Sequence, residues 1–107
     1  MSIQTKLLIR VERSLFVIPW SELTLEPGEY IIGRSPYSHI LIPDRLVSRR
    51  HARLFYKNGK WFIEDLGSRN GTIVNGSDIR GQGFKAIPDN GVHVVIGGTL
   101  LYLKPIS

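Results

Sequence analysis

Apolar residues along this chain come in short runs separated by polar, glycine-bearing clusters. Residues 7–11, 15–20, 29–32, 40–42, 52–56, 60–65, 72–74, 92–96 and 100–103 each have the length of one strand, and most carry its β-branched or aromatic content. The breaks between them carry turn chemistry. Glu12-Arg13-Ser14 parts the first two runs in hairpin fashion, Pro27-Gly28 and Pro88-Asp89-Asn90-Gly91 are turns, and Lys57-Asn58-Gly59 supplies the positive-φ residues of a tight hairpin. Residues 21–26 alternate loosely, residues 77–83 read as a polar connection, and Gly97-Gly98-Thr99 splits a closing hairpin. No window of ten or more residues shows a helical apolar stripe. The pattern predicts an all-β domain, a sandwich or barrel of many short strands.

A length of 107 residues suits one domain with a single core, so residues 1–107 are read as one unit. The absence of cysteine excludes disulfides and thiolate zinc sites and favours a reducing compartment. The amino terminus lacks the long apolar stretch of a secretory signal, and no run approaches the roughly 20 apolar residues of a membrane span. These features lead us to expect a soluble, cytoplasmic chain, nuclear if the source is eukaryotic, with no membrane partner. The ending Lys104-Pro105-Ile106-Ser107 fits either a complete small protein or a domain cut from a longer one, and the second is expected.

Charge sharpens the picture. Between Arg34 and Arg69 six Arg and two Lys face Asp44, Glu64 and Asp65, so the whole +5 surplus of the chain lies in this stretch. Most of it is arginine, whose planar fork suits carboxylate and phosphate oxygens. The same stretch holds Gly33-Arg34, Ser48-Arg49-Arg50-His51, Asp65-Leu66-Gly67-Ser68-Arg69-Asn70-Gly71-Thr72 and, just beyond, Asn75-Gly76. A sandwich gathers its loops at two ends, so these clusters can meet in one anion-binding mouth.

In this order, with strands between, the four clusters resemble the forkhead-associated (FHA) domain family, and Asp89-Asn90-Gly91 with Ile96-Gly97 is similar to its closing pattern. The resemblance implies a β-sandwich of two twisted sheets and eleven short strands, with binding loops at one end. It also implies non-catalytic recognition of phosphothreonine peptides, as part of a larger signalling or regulatory protein. Arg34 and Ser48 match its phosphopeptide-contacting arginine and phosphate-binding serine. His51 matches an architectural histidine, and Gly33 and Gly71 support the loops. Asn70 matches the asparagine of the second binding loop. Asn75 matches a second asparagine that either braces loops or touches the peptide. Arg49 stands where the family varies, either a phosphate contact or a solvated charge, and Arg50 is expected to face solvent. Arg69 departs from the usual Thr or Ser. It could donate a second guanidinium to phosphate, read an acidic peptide side chain, or point to water.

Two other classes fit less well. A basic β-domain can bind nucleic acid, but residues Phe55, Trp61 and Phe62 lie in strand-like runs and not in loops where bases could stack. An enzyme would need a Ser-His-Asp set, a phosphate loop or paired carboxylates, and Glu64 and Asp65, adjacent on one strand, face opposite ways. His39, His51 and His93 fit no short metal-ligand spacing. No metal, cofactor or nucleic-acid partner is expected.

Overall fold

Side chains at every second position of a strand share a face, and here that alternation builds two apolar faces that close on each other. A computed structural model describes residues 5–107. Residues 1–4, the start of the segment read as lacking a secretory pattern, lie outside the described residues. The strands are β1 (Lys6–Ser14), β2 (Glu22–Leu25), β3 (Glu29–Gly33), β4 (Ile40–Leu41), β5 (Ala52–Lys57), β6 (Lys60–Asp65), β7 (Thr72–Val74), β8 (Ser77–Asp78), β9 (Phe84–Ala86), β10 (Val92–Ile96) and β11 (Thr99–Ile106). One sheet has six strands in the order β2-β1-β11-β10-β7-β8, the other five in the order β4-β3-β5-β6-β9. The pairing is antiparallel wherever a register is defined, except β3 with β4, which run parallel. Among the described residues no helix is long and apolar enough to cross a membrane.

The core lies between the sheets. Leu7 and Ile9 of β1, Val92, Val94 and Ile96 of β10, and Leu101 and Leu103 of β11 project from the larger sheet. Ile32, Ala52, Leu54, Trp61 and Ile63 meet them from the smaller one. Two hairpins turn on Asn-Gly with both residues at positive φ: Asn58 (52°) with Gly59 (81°) between β5 and β6, and Asn75 (47°) with Gly76 (83°) between β7 and β8. Such turns match the twist of the strands they join.

Three expectations need correction. The run at 15–20 is not a strand. β1 continues through Glu12, Arg13 and Ser14, pairing Arg13 with Leu100 and Ser14 with Thr99 across a bulge after Val11. That pairing uses the backbone groups of the expected turn, and the chain then runs on as a loop until the Val11 N–H donates to the Ser21 carbonyl (2.8 Å). The polar connection at 77–83 begins with β8, and the short exposed strand β9 follows it. β8 is Ser-Asp with no apolar residue, and β9, Phe84-Lys85-Ala86, is too short for its alternation to stand out.

Leu54 faces Ile63 across the β5–β6 pair, fully buried. Replacing it with alanine is expected to cost about 2–5 kcal/mol by chemical denaturation, the range for a buried large-to-small change. A loss below about 1 kcal/mol would contradict this packing.

Candidate functional site

At one end of the sandwich the β3–β5 ladder continues past the strands and joins two loops. The His51 N–H donates to the Ile32 carbonyl (2.9 Å), the Arg34 N–H to the Ser48 carbonyl (3.0 Å) and the Ser35 N–H to the Arg49 carbonyl (3.3 Å). Gly33 is required by this closeness. A Cβ there would stand 2.0 Å from the Arg49 carbonyl oxygen, far inside contact distance.

Two buried carboxylates shape the loops. Asp44 accepts from the Leu46 N–H (2.8 Å), the Gly98 N–H (2.7 Å) and the Thr99 hydroxyl (3.0 Å), which folds the turn before Ser48 and ties it to the β10–β11 turn. Asp65 accepts from the N–H groups of Gly67 and Ser68 (both 2.9 Å), the Ser68 hydroxyl (2.5 Å) and the Thr72 hydroxyl (2.7 Å). Burial alone would raise the Asp65 carboxyl. The bonds from Ser68, Thr72 and Gly67 outweigh it and hold the group below its ordinary value.

His51 joins the two loops. Its ring is fully buried. Nδ1 accepts from the Ser48 N–H (3.0 Å), and Nε2 lies 2.8 Å from the Gly71 carbonyl. A backbone N–H can only donate and a carbonyl only accept, so the ring is neutral with its hydrogen on Nε2. Burial pushes its pKa down, against the opposing pull of the Gly71 carbonyl, Asp65 and Asp44. Gly71 sits at φ 90°, and a Cβ there would meet the Asp78 carboxylate at 2.9 Å. Arg80 completes the frame, its guanidinium donating to the Arg69 carbonyl (2.9 Å).

On this frame opens a hollow of about 250 Å³ lined by Arg34, Arg45, Leu46, Val47, Ser48, Arg49, Arg69 and Asn70. Four guanidiniums and no carboxylate line it. Arg34, in the lining of the hollow, is anchored by its Nε–H to the Val47 carbonyl (3.1 Å), which leaves its two outer nitrogens as further donors. The Ser48 oxygen accepts from the Arg69 N–H (3.0 Å), leaving its own hydrogen to donate. Asn70 donates to the Leu46 carbonyl (2.8 Å), leaving its side-chain oxygen as an acceptor. The arrangement can hold an anion and one strand of backbone beside it. It offers no general base, because both nitrogens of His51 are engaged beneath the surface. Among the described residues no group of three His, Asp or Glu side chains is placed to hold a metal ion.

The FHA domain model matches residues 30–97, more than half of the chain. The chain belongs to the FHA domain family. It is 35% identical over 85 residues to the FHA domain-containing protein FhaB of Mycobacterium tuberculosis, covering 79% of this chain and 53% of that protein. The chain thus spans about half the length of this curated relative. The crystal structure of the FHA domain of CT664 protein from Chlamydia trachomatis superposes with a TM-score of 0.80 at 32% identity, covering 96% of this chain and 100% of that one. A structure solved for phosphothreonine-dependent FHA domain interactions superposes at 0.79 with 24% identity, over 96% of this chain and 99% of that one, and shares the fold. The FHA domain is a non-catalytic binding module, a β-sandwich, and two sheets with eleven strands are found here among the described residues.

Of the residues singled out in the sequence, Arg34, Ser48, Arg49, Arg69 and Asn70 line one hollow, with Gly33, His51 and Gly71 beneath it. Asn75 is not among them. It occupies the β7–β8 turn, its N–H donating to the His93 carbonyl (3.0 Å), at the far end of β7 from Gly71. Arg50 is exposed and lines a neighbouring hollow with Tyr37, His39 and Arg49. The sequence pointed to the loop at 45–47 as a ligand-reading loop but did not single out Arg45 as a wall of the anion hollow, and it missed Asp44 and Asp65 as loop organisers. The signal was present for Asp65, since aspartate two and three residues before Gly67 and Ser68 is an Asx-turn pattern.

Folded protein resists protonation of His51, so the unfolded chain binds that proton more readily. Stability from this source is full above about pH 6.5 and falls as pH drops below it. Asp65, depressed in the fold, adds a second loss below about pH 4. Urea denaturation from pH 7.5 to 5 is expected to show the upper step, and His51→Gln to flatten it. A wild-type stability constant over that interval would refute the neutral-ring assignment.

Proposed function

We propose that residues 1–107 form one domain that recognises phosphothreonine-containing proteins or peptides without catalysis, as part of a larger signalling or regulatory protein in the cytoplasm, or in the nucleus if the source is eukaryotic. The observation that carries this reading is the convergence of four guanidiniums and a donating serine hydroxyl on one hollow free of carboxylates. A phosphate dianion offers three acceptor oxygens and nearly two charges, which suits such a donor set and exceeds what a carboxylate side chain supplies. Arg34 and Ser48 hold the phosphate, with Arg49, Arg69 and Arg45 around it. Asn70 receives a peptide N–H on its free oxygen. Membership in the FHA family supports the phosphothreonine assignment over a free anion.

Arg34→Ala or Ser48→Ala is expected to weaken a phosphothreonine peptide by about 1.5–3 kcal/mol, the worth of one hydrogen bond involving a charged group. Calorimetry checks the affinity and melting the fold. Unchanged affinity in both variants would remove these residues from the site, and tight binding of unmodified threonine peptide or of single-stranded DNA with steep salt dependence would favour the nucleic-acid reading.

Phosphothreonine and phosphoserine differ by one methyl group, which the phosphate contacts cannot sense. We assign the niche for it to Val47 and the aliphatic stem of Arg69, both in the lining of the hollow. One fitted methyl group is worth about 10–200-fold. Fluorescence anisotropy on matched peptides is expected to show that preference, and equal affinity for the two would mean that no niche exists.

A further inference from the structure

One edge of the smaller sheet is β9, which has β6 on one side and no strand on the other. Its register sets Phe62 opposite Ala86, Ile63 opposite Lys85 and Glu64 opposite Phe84, and the Ile87 N–H donates to the Trp61 carbonyl (2.9 Å). Bonded and non-bonded pairs alternate along an antiparallel ladder, so Lys85 spends its backbone groups on Ile63. The N–H and C=O groups of Phe84 and Ala86 therefore point away from the sheet. All three residues of the strand are exposed.

An aromatic cluster lies beside this edge, on the outer face of the sheet. The Phe55 and Phe62 rings stack with centroids 5.3 Å apart, and Phe84 stands edge-on to both, at 5.4 and 5.2 Å. None of the three belongs to the core between the sheets. Arg53 covers the Phe55 ring at 4.2 Å and is held there by Glu29 and Glu64, whereas Phe84 is left 51% exposed. Lys57 and Lys60, opposite each other on β5 and β6 and both exposed, flank the rings on the side away from Arg53.

We infer that the open edge of β9 binds an extended segment of another protein in which apolar residues alternate with acidic ones. Such a segment bonds the free backbone groups of Phe84 and Ala86, as an added strand extends a sheet. Its residues opposite Phe84 and Ala86 project onto the outer face, where apolar side chains continue the aromatic cluster. The residue between them faces Lys85 in a non-bonded pair, the kind in which side chains approach most closely, so an acidic group suits that place. A second copy of this chain does not. Pairing β9 with itself about Lys85 sets two lysines directly opposite each other, and each copy carries a net charge of +5. The edge lysine thus bars self-association while admitting an acidic strand. None of these residues lines the arginine hollow, and the contact needs no phosphate.

Amide hydrogen exchange followed by NMR tests the edge, with a short unphosphorylated peptide of alternating valine and glutamate as the probe and one of alternating valine and lysine as its control. The glutamate peptide is expected to slow exchange at the Phe84 and Ala86 amides about tenfold at nine-tenths occupancy, since only the unbound tenth exchanges. The Lys85 amide, already bonded to β6, is expected to stay as it was, and the lysine peptide to protect neither edge amide. Lys85→Glu, at an exposed position, is expected to exchange the two peptides' roles, and Phe84→Ser to abolish the protection with an unchanged melting temperature. Edge amides that exchange equally fast with and without the glutamate peptide overturn the inference, as does equal protection by both peptides. Protection in the protein alone that grows with its concentration also overturns it and assigns the edge to a second copy. Because neither probe carries a phosphate, each of these results leaves the phosphothreonine reading of the hollow to its own test.

Discussion

The neutral ring of His51 is the joint on which the binding end depends. It takes a hydrogen bond from the Ser48 backbone and gives one to the Gly71 carbonyl, so loops 20 or more residues apart are held at a fixed spacing by one buried side chain. Neither partner can reverse its role, and a second ring proton would set donor against donor at Ser48. The Arg69 N–H then bonds the Ser48 hydroxyl across the same gap. The spacing of the serine, the arginines and Asn70 therefore follows from the ring.

The arginines of this fold divide into two kinds. Arg53 is paired with Glu64 at 2.7 Å and Glu29 at 3.5 Å on the outer face of the smaller sheet, and Arg80 with Asp78 at 2.7 Å. The guanidiniums of Arg34, Arg45, Arg49 and Arg69 crowd one hollow with no carboxylate on its wall. Like charges so placed oppose compaction, and an incoming anion relieves that repulsion. Asp44 and Asp65 lie buried below, their oxygens spent on backbone N–H groups and hydroxyls, so they order the loops without closing the mouth.

Local chemistry was readable wherever it did not depend on distant pairing. Asn58-Gly59 predicts its own hairpin because positive φ is a property of those two residues, and the β5–β6 pair around it follows. Asn75-Gly76 carries the same local signal, yet its place beside His93, away from the hollow, depends on β7 lying next to β10. The run at 15–20 reads as a strand because its apolar and alternating character is real: Phe16, Ile18 and Trp20 do turn inward. Whether a backbone has a ladder partner is not written in its own residues. Here β11 pairs with β1 through Ser14, and the segment beyond has no strand to join.

The sequence by itself determined the all-β class, the turn positions, the concentration of positive charge in one stretch and the motif residues of the FHA family, since each depends on residue type and short spacing. Only the tertiary structure decided which residues meet. It set the Arg45 side chain in the wall of the hollow, left Asn75 out of its lining, buried Asp44 and Asp65 as loop organisers and left Leu15 and Val17 exposed in the β1–β2 loop. These outcomes turn on strand order and on a bulge in β1, which are set by pairing between segments far apart in the chain, and such pairing leaves no mark at any single position.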